Sequence, residues 1–385
     1  MFEESQYPIY LFWGTVLGLL CYLLVLRYAR TPTLDFYSPM DLDDFERKRM
    51  RVYLGGLDAP QLVRLSANDP AVRELISFDP KHPWFVAQHP AYLEHKNAES
   101  IYDLMQIYER FVVEKTQLVK VAAWADSIDW HTIPTVAKAR HIYAKTVTKR
   151  HCVLLRLRSR IHFGPIRDDT VPFDQKKNVV IWRGGPSGPG FRNTYETRLT
   201  KPSREVCLQK WCHRSDTQQE IDVGLTKKWQ YENFKHYVKS ELSITEFFQY
   251  KYLLSIEGND VATNLKWALA SNSVVLMPAP HVESWFVESL LKPYVHYVPV
   301  KNDFSDLYTQ KQWCDKHPER CTEIIRQANA FVRPFRNVER DYYLSFRVLQ
   351  RYMQWVRIVV ESPPPTPSTP STPSTPDTRA KKTSG

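Results

Sequence analysis

The chain has 385 residues, of which 43% are hydrophobic and 13% aromatic, which excludes general disorder and suffices for more than one packed core. Its formal charge of +10 points to anionic partners (nucleotide phosphates, nucleic acid or a membrane surface) or to ordinary solvated charge. The six cysteines (Cys21, Cys152, Cys207, Cys212, Cys314 and Cys321) form no CxxC pair, which argues against a zinc site.

Residues 7–26, "YPIYLFWGTVLGLLCYLLVL", carry no charge and are long enough to cross a bilayer as a helix. The preceding "MFEES" is acidic and no small-residue cleavage site follows, which argues against a signal peptide. Arg27, Arg30 and the run "ERKRMR" follow the span, so the positive-inside rule puts the bulk of the chain in the cytosol. Five cysteines remain outside the span, an odd number that gives no clean disulfide framework. The chain also has no Asn-x-Ser/Thr sequon, and both facts lean towards a reducing setting.

Further along, "CVLLRLR" and "NVVIWRG" read as strands ending in polar loops. The second runs into Arg183-Gly184-Gly185-Pro186-Ser187-Gly188, where Gly and Pro force a turn. Arg183, Arg192, Arg198 and Arg204 supply planar cations suited to phosphate, and "PSRE" reads as a helix start. A surface loop with scattered arginines is the alternative. Then come a strand "KYLLSI", a helix "DVATNLKWALA", a strand "SVVLMP", a helix around "SWFVESLL" and a strand "VHYVPV". That βαβαβ order predicts a doubly wound parallel sheet. The loop at 257–264 lies at the carboxyl end of a strand, where open α/β sheets bind ligands. Gly258 permits close approach, and Asn259 or Asp260 is placed to cap the helix. The loop reads either as an anion site or as a routine capped turn, and it matches neither GxGxxG nor a Walker loop. Helical spacing covers 337–360, and the Ser-Thr-Pro repeat of 361–385 predicts a disordered tail.

From "IPTVAKAR" through "WRGGPSG…PSRE" to "KYLLSIEGNDVATNLKWALASNSVVLMP…HYVPVKNDFSDL", roughly residues 120–335, the chain resembles glycosyltransferase family 90. The resemblance implies a GT-B fold: two Rossmann-like domains facing across a cleft. Residues 31–205 would be the acceptor domain and 206–336 the donor domain, behind a transmembrane anchor at 1–30. It further implies a UDP-sugar donor, with glucose and xylose the common sugars, no metal or other cofactor, and an inverting reaction on a glycan or protein hydroxyl. The inverting members use an aspartate base, for which Asp126 is the leading candidate and Asp129 the alternative. For UDP the resemblance points to Arg183, Gly184, Gly185, Ser187 and Arg204, and to the loop Gly258, Asn259, Asp260, Val261, Ala262, Thr263 and Asn264. Ala262 and Asn264 stand where several members carry Ser and Arg, which shifts phosphate neutralisation to backbone N–H groups and Lys266. Glu288 is the candidate acceptor of ribose or sugar hydrogen bonds. Two competing readings are a membrane-tethered glycan-binding scaffold and a nucleic-acid binder using the basic stretch 138–160, which could instead line an anionic acceptor site or face an anionic membrane.

Overall fold

A computed structural model describes residues 42–86, 98–111, 117–122, 133–142, 152–162, 166–188, 204–217, 219–226 and 232–361. The apolar span at 7–26, the tail past 361, and both candidate bases, Asp126 and Asp129, lie outside the described residues. Among the described residues no helix is long and apolar enough to cross a membrane.

The strands are β1 (Gln61–Ser66), β2 (Leu75–Ile76), β3 (Val119–Lys120), β4 (Thr135–Ala137), β5 (Ala139–His141), β6 (Cys152–Leu154) and β7 (Lys177–Gly184). They continue with β8 (Ile221–Thr226), β9 (Val238–Lys239), β10 (Tyr250–Leu254), β11 (Val274–Met277), β12 (Val282–Ser284), β13 (Val298–Pro299) and β14 (Val356–Glu361). The helices used below are α1 (Asp44–Leu54), α2 (Ala98–Arg110), α3 (Arg204–Trp211), α4 (Leu265–Leu269), α5 (Leu307–Lys316), α6 (Pro318–Val332) and α7 (Val338–Trp355).

Six strands form the main sheet in the order β13-β11-β10-β7-β8-β9, and every neighbour pair is parallel. β7 precedes residue 205 yet pairs with both β10 and β8, so the sheet runs across the expected division at 205. Its apolar strands are covered on both faces, and alternate residues serve different cores. Ile181, Leu253, Val275 and Met277 join one core with Tyr53, Leu104, Val153 and Leu349 of the surrounding helices and short strands. Val180, Tyr252, Leu254, Val274 and Leu276 join the other, with Leu208 of α3, Leu307 of α5 and Ile324 of α6.

Three expected helices are shorter than the sequence pattern implied; "DVATNLKWALA" forms only α4, Leu265–Leu269. Where 337–360 read as one helix, α7 stops at Trp355 and β14 follows, pairing in parallel with β1 from Gln61↔Val356 to Ser66↔Glu361. The β-branched run Val356, Ile358, Val359, Val360 favours strand there. Around "SWFVESLL" only a 3-10 turn, Glu288–Leu290, forms after β12. Val287 takes φ +51°, the left-handed region, which ends any α-helix at that point.

α7 packs back against α1 and α2. α1 is opened by a capping box between Asp43 and Glu46. Arg49 Nη2 meets Asp341 Oδ1 at 2.6 Å with both side chains buried, and Arg340 pairs with Glu46. Arg49 Nε also donates to Tyr53 OH, which donates to the Trp285 carbonyl at 2.7 Å. The basic stretch 138–160 is mostly internal at its described ends, with Arg160 exposed. Lys138 and Arg140 are buried and paired with Asp260 and Glu283, and Arg156 is buried as well.

Candidate functional site

β7 and β10 are neighbours, so the loops leaving their carboxyl ends emerge side by side. Arg204, the first residue of α3, ties them together. Its Nη1 donates to the Gly185 carbonyl at 3.0 Å and to Ser187 Oγ at 2.6 Å. Its Nη2 and Nε donate to the Ile256 carbonyl at 3.0 and 3.3 Å. The guanidinium lies over the Trp182 ring, 5.6 Å from its centre. All these partners are neutral, and among the described residues Arg204 makes no ion pair. Burial lowers its pKa to about 10, with Asp260 and Glu257 pulling the other way, so it remains a cation at neutral pH.

The glycines allow this closeness. A Cβ on Gly258 would stand 2.7 Å from Ser187 Oγ and 3.1 Å from Arg204 Nη2. Gly188 has φ +97°, and a Cβ there would stand 2.9 Å from the Gly258 carbonyl oxygen. Gly188 N–H donates to Asn259 Oδ1 at 2.9 Å, which locks the second loop to the first. A Cβ on Gly184 would stand 2.5 Å from the Trp182 ring that underlies Arg204. Gly184, Gly185, Ser187, Arg204, Gly258 and Asn259 therefore converge, as the sequence motifs implied.

The other loop residues behave differently from the capped-turn reading. α4 has only five residues, and Asn264 at its N-cap makes no side-chain cap bond. Instead Asn264 Nδ2 donates to the Leu254 carbonyl, and Ser255 Oγ donates to Asn264 Oδ1, both at 3.0 Å, so Asn264 closes the base of the loop. Asn259 holds Gly188, and Asp260 turns inward to Lys138, so neither caps the helix. Val261 and Ala262 are buried against a crevice shared with Ser255, Glu257, Val282 and Glu288. Thr263 is exposed.

Three expected contacts take other roles. Arg183 does not join the group. Its Nη2 meets Asp222 Oδ2 at 2.7 Å and its other nitrogens donate to the carbonyls of Trp182, Asp222 and Ser240, bracing β7 against β8. Glu288 is no solvated helix face; its carboxylate is buried and accepts from Ser284 N–H at 2.7 Å and from Ser284 Oγ. Lys266 Nζ lies 3.5 Å from Glu288 Oε1, and burial pulls its pKa down against the pull of Glu288 and Asp260.

Beneath the loop lies a cluster with no local sequence signature. Lys138 Nζ pairs with Asp260 and donates to Nε2 of His162 at 3.1 Å. Burial works against the Asp260 carboxylate, yet the Lys138 charge, with His162 and Lys266, holds its pKa below the usual range. Burial and then Lys138 lower His162 to about 3, so this imidazole is neutral and accepts from the ammonium. Lys138 sits in the "IPTVAKAR" motif, but nothing in the sequence linked it to a loop more than 120 residues later. Glu257 Oε1 accepts from His281 N–H and Val282 N–H at 2.9 and 3.0 Å, which fixes the crevice wall.

The arrangement is a glycine-lined junction around the half-buried Arg204 at the carboxyl edge of a parallel sheet. Such a site suits a phosphorylated ligand. Comparison with known proteins agrees. The family model described as Glycosyl transferase family 90 matches residues 165–371. The O-glucosyltransferase LpsA of Dichelobacter nodosus is 32% identical over 257 residues, 67% of this chain and 73% of that protein. Protein O-glucosyltransferase 3 of Rattus norvegicus is 30% identical over 182 residues, 46% of this chain but only 35% of its own length. The uncharacterized protein 179R of Invertebrate iridescent virus 6 is 28% identical over 51% of this chain and 18% of its own.

Proposed function

This chain belongs to glycosyl transferase family 90, and we propose that it moves glucose or xylose from a UDP-sugar to a glycan or protein hydroxyl. The relatives named O-glucosyltransferase favour glucose. The observation that carries the donor reading is Arg204: a half-buried guanidinium held by neutral oxygens between two strand-end loops. Its charge is left for an anion, and Gly258 lets Ser187 and the Arg204 fork pack directly against the second loop.

In this reading the fold is of the GT-B type, with the β7–β10 crevice holding the donor. A carboxylate takes the proton of the acceptor hydroxyl as its oxygen attacks the anomeric carbon, and UDP departs from the opposite face. Asp126 is the proposed base and Asp129 the alternative. Arg204 stabilises the charge that grows on the departing diphosphate, an interaction stronger in the transition state than in the ground state. No metal enters this scheme. The proposal extends to a membrane anchor at 7–26 with the enzyme on the cytosolic side, by its charge flanks.

The test is UDP release from UDP-glucose and UDP-xylose in EDTA, together with UDP binding by calorimetry. Release from one donor is expected. Arg204→Gln should weaken UDP binding by about 10–100-fold, the range for a lost charged hydrogen-bonding partner. Asp126→Asn should abolish transfer while UDP binding persists; undiminished transfer would move the role to Asp129. If no nucleotide binds at all, the donor reading fails and a glycan-binding scaffold takes its place.

A further inference from the structure

A second cavity, of about 580 Å³, opens beside α4, bounded by the Ser159–His162 turn, the segment before α7 and the start of α7. That volume is ample for a sugar-sized ligand. Its charged lining is Arg156, Arg160, Lys266 and Arg336, and no carboxylate lines it among the described residues.

Arg156 is the unusual member. It is 5% exposed, yet among the described residues it donates no hydrogen bond. The nearest acid oxygen, Asp103 Oδ1, is 3.7 Å from Nη1, beyond hydrogen-bond reach. Asp103 is already occupied, accepting from Ser159 N–H at 2.8 Å, from Ser159 Oγ, and from Tyr342 OH at 3.2 Å. The guanidinium instead sits between two rings, 5.3 Å from the centre of Trp285 and 4.9 Å from that of Tyr342. A buried guanidinium with no hydrogen bond is costly, and a ligand anion would relieve that cost. The other cations differ. Arg336 meets Asp168 at 2.8 Å, Lys266 meets Glu288, and Arg160 is exposed and lies over Tyr102 without an acid partner among the described residues.

Lys266 connects this cavity to the donor loop, because Glu288, its partner, lines the crevice beside Val261 and Ala262. We propose that the cavity seats the acceptor, and that this acceptor is a sugar bearing an anionic group, a carboxylate or a phosphate ester, which Arg156 and Arg160 bind. The ring faces of Trp285 and Tyr342 flank the sugar's C–H surface, and the cations bind its charge. This rests on the glycosyltransferase reading above for the word acceptor; the anion site itself does not depend on it.

The test uses the full chain and calorimetric titration with methyl glucuronoside, glucose 6-phosphate and neutral methyl glucoside, each with and without saturating UDP. At least one anionic sugar should bind about tenfold or more tightly than the neutral one, and Arg156→Gln should remove that difference. A preference for glucuronoside names a uronic acid, and a preference for the phosphate names a phosphorylated sugar. UDP should leave the binding intact. Arg160→Gln, at an exposed position that tolerates change, should weaken the anionic sugar about threefold with the fold undisturbed, a smaller effect expected of a solvated charge. Equal binding of neutral and anionic sugars, or unchanged affinity in both variants, would overturn the proposal. Displacement by UDP would also overturn it, assigning the cavity to the donor. Anionic-sugar binding without any UDP binding would sink the donor reading and leave this site standing.

Discussion

Two regions bury arginines, and they do so in opposite ways. At the α1–α7 junction, Arg49 and Arg340 each meet a carboxylate, Asp341 and Glu46. At the β7–β10 edge, Arg204 is half-buried and held only by carbonyl and hydroxyl oxygens. The junction is closed electrostatically: each cation has its anion. The loop site keeps its shape through hydrogen bonds and keeps its charge unneutralised. A buried cation of the first kind reads as architecture, and one of the second kind reads as a place for an anionic ligand. Arg183 falls in the first class despite its neighbours in sequence, since Asp222 holds it.

The contrast can be broken most strongly at the junction. Asp341→Ala strands Arg49 as an unpaired buried charge and should destabilise the protein by about 3–5 kcal/mol, read by chemical denaturation. UDP affinity of the fraction that remains folded should not change. A loss of UDP affinity there would mean the two regions are not separable. Gly258→Ala should have an intermediate effect, about 1–3 kcal/mol, because its methyl must displace Ser187 Oγ or the Arg204 fork. Here binding should suffer together with stability, the reverse of the junction pattern.

The third effect is spread over pH. His162 has a folded pKa of about 3, below the ordinary value of 6.5, so the unfolded chain takes up a proton that the folded chain refuses. Stability from this group is therefore full above pH 6.5 and is lost as pH falls towards 3, at no more than about 1.4 kcal/mol per pH unit. His162→Gln should flatten that part of the stability profile. Asp260, with its lowered pKa, contributes in the same sense, but below its unfolded value of 3.8. An unaltered slope in the variant would show that His162 is not neutral in the fold.

Much of the sheet was legible because its strands are apolar runs punctuated by Gly, Pro or charge. "NVVIWRG", "KYLLS" and "SVVLM" all form the expected parallel strands. β8 escaped notice although Ile221, Val223 and Leu225 alternate inward, since Asp222 and Gly224 break the apolar run. β14 was hidden because the helical register of α7 continues into it, and only β-branching marks the change. In the candidate site, Gly258 and Arg204 could be singled out from turn chemistry and the suitability of arginine for phosphate, and Ser187 from the family resemblance. The bracing role of Arg183 could not, since nothing local tells which face of a strand a charge will brace. Lys138 and Arg156 fall in the basic stretch 138–160, but their partners, and the place of His162 beside Lys138, are supplied by distant parts of the fold.

The pairing of β1 with β14 brings Gln61 beside Val356, 356 − 61 = 295 residues later. At about 5–20 residues per second, a ribosome needs roughly 15–60 s to supply that partner. Throughout that interval β1, with Leu62 and Val63 in its middle, offers an open edge to any other chain. The β1–β14 pair therefore closes only once residue 361 has been made, which makes it a late, non-local step of folding.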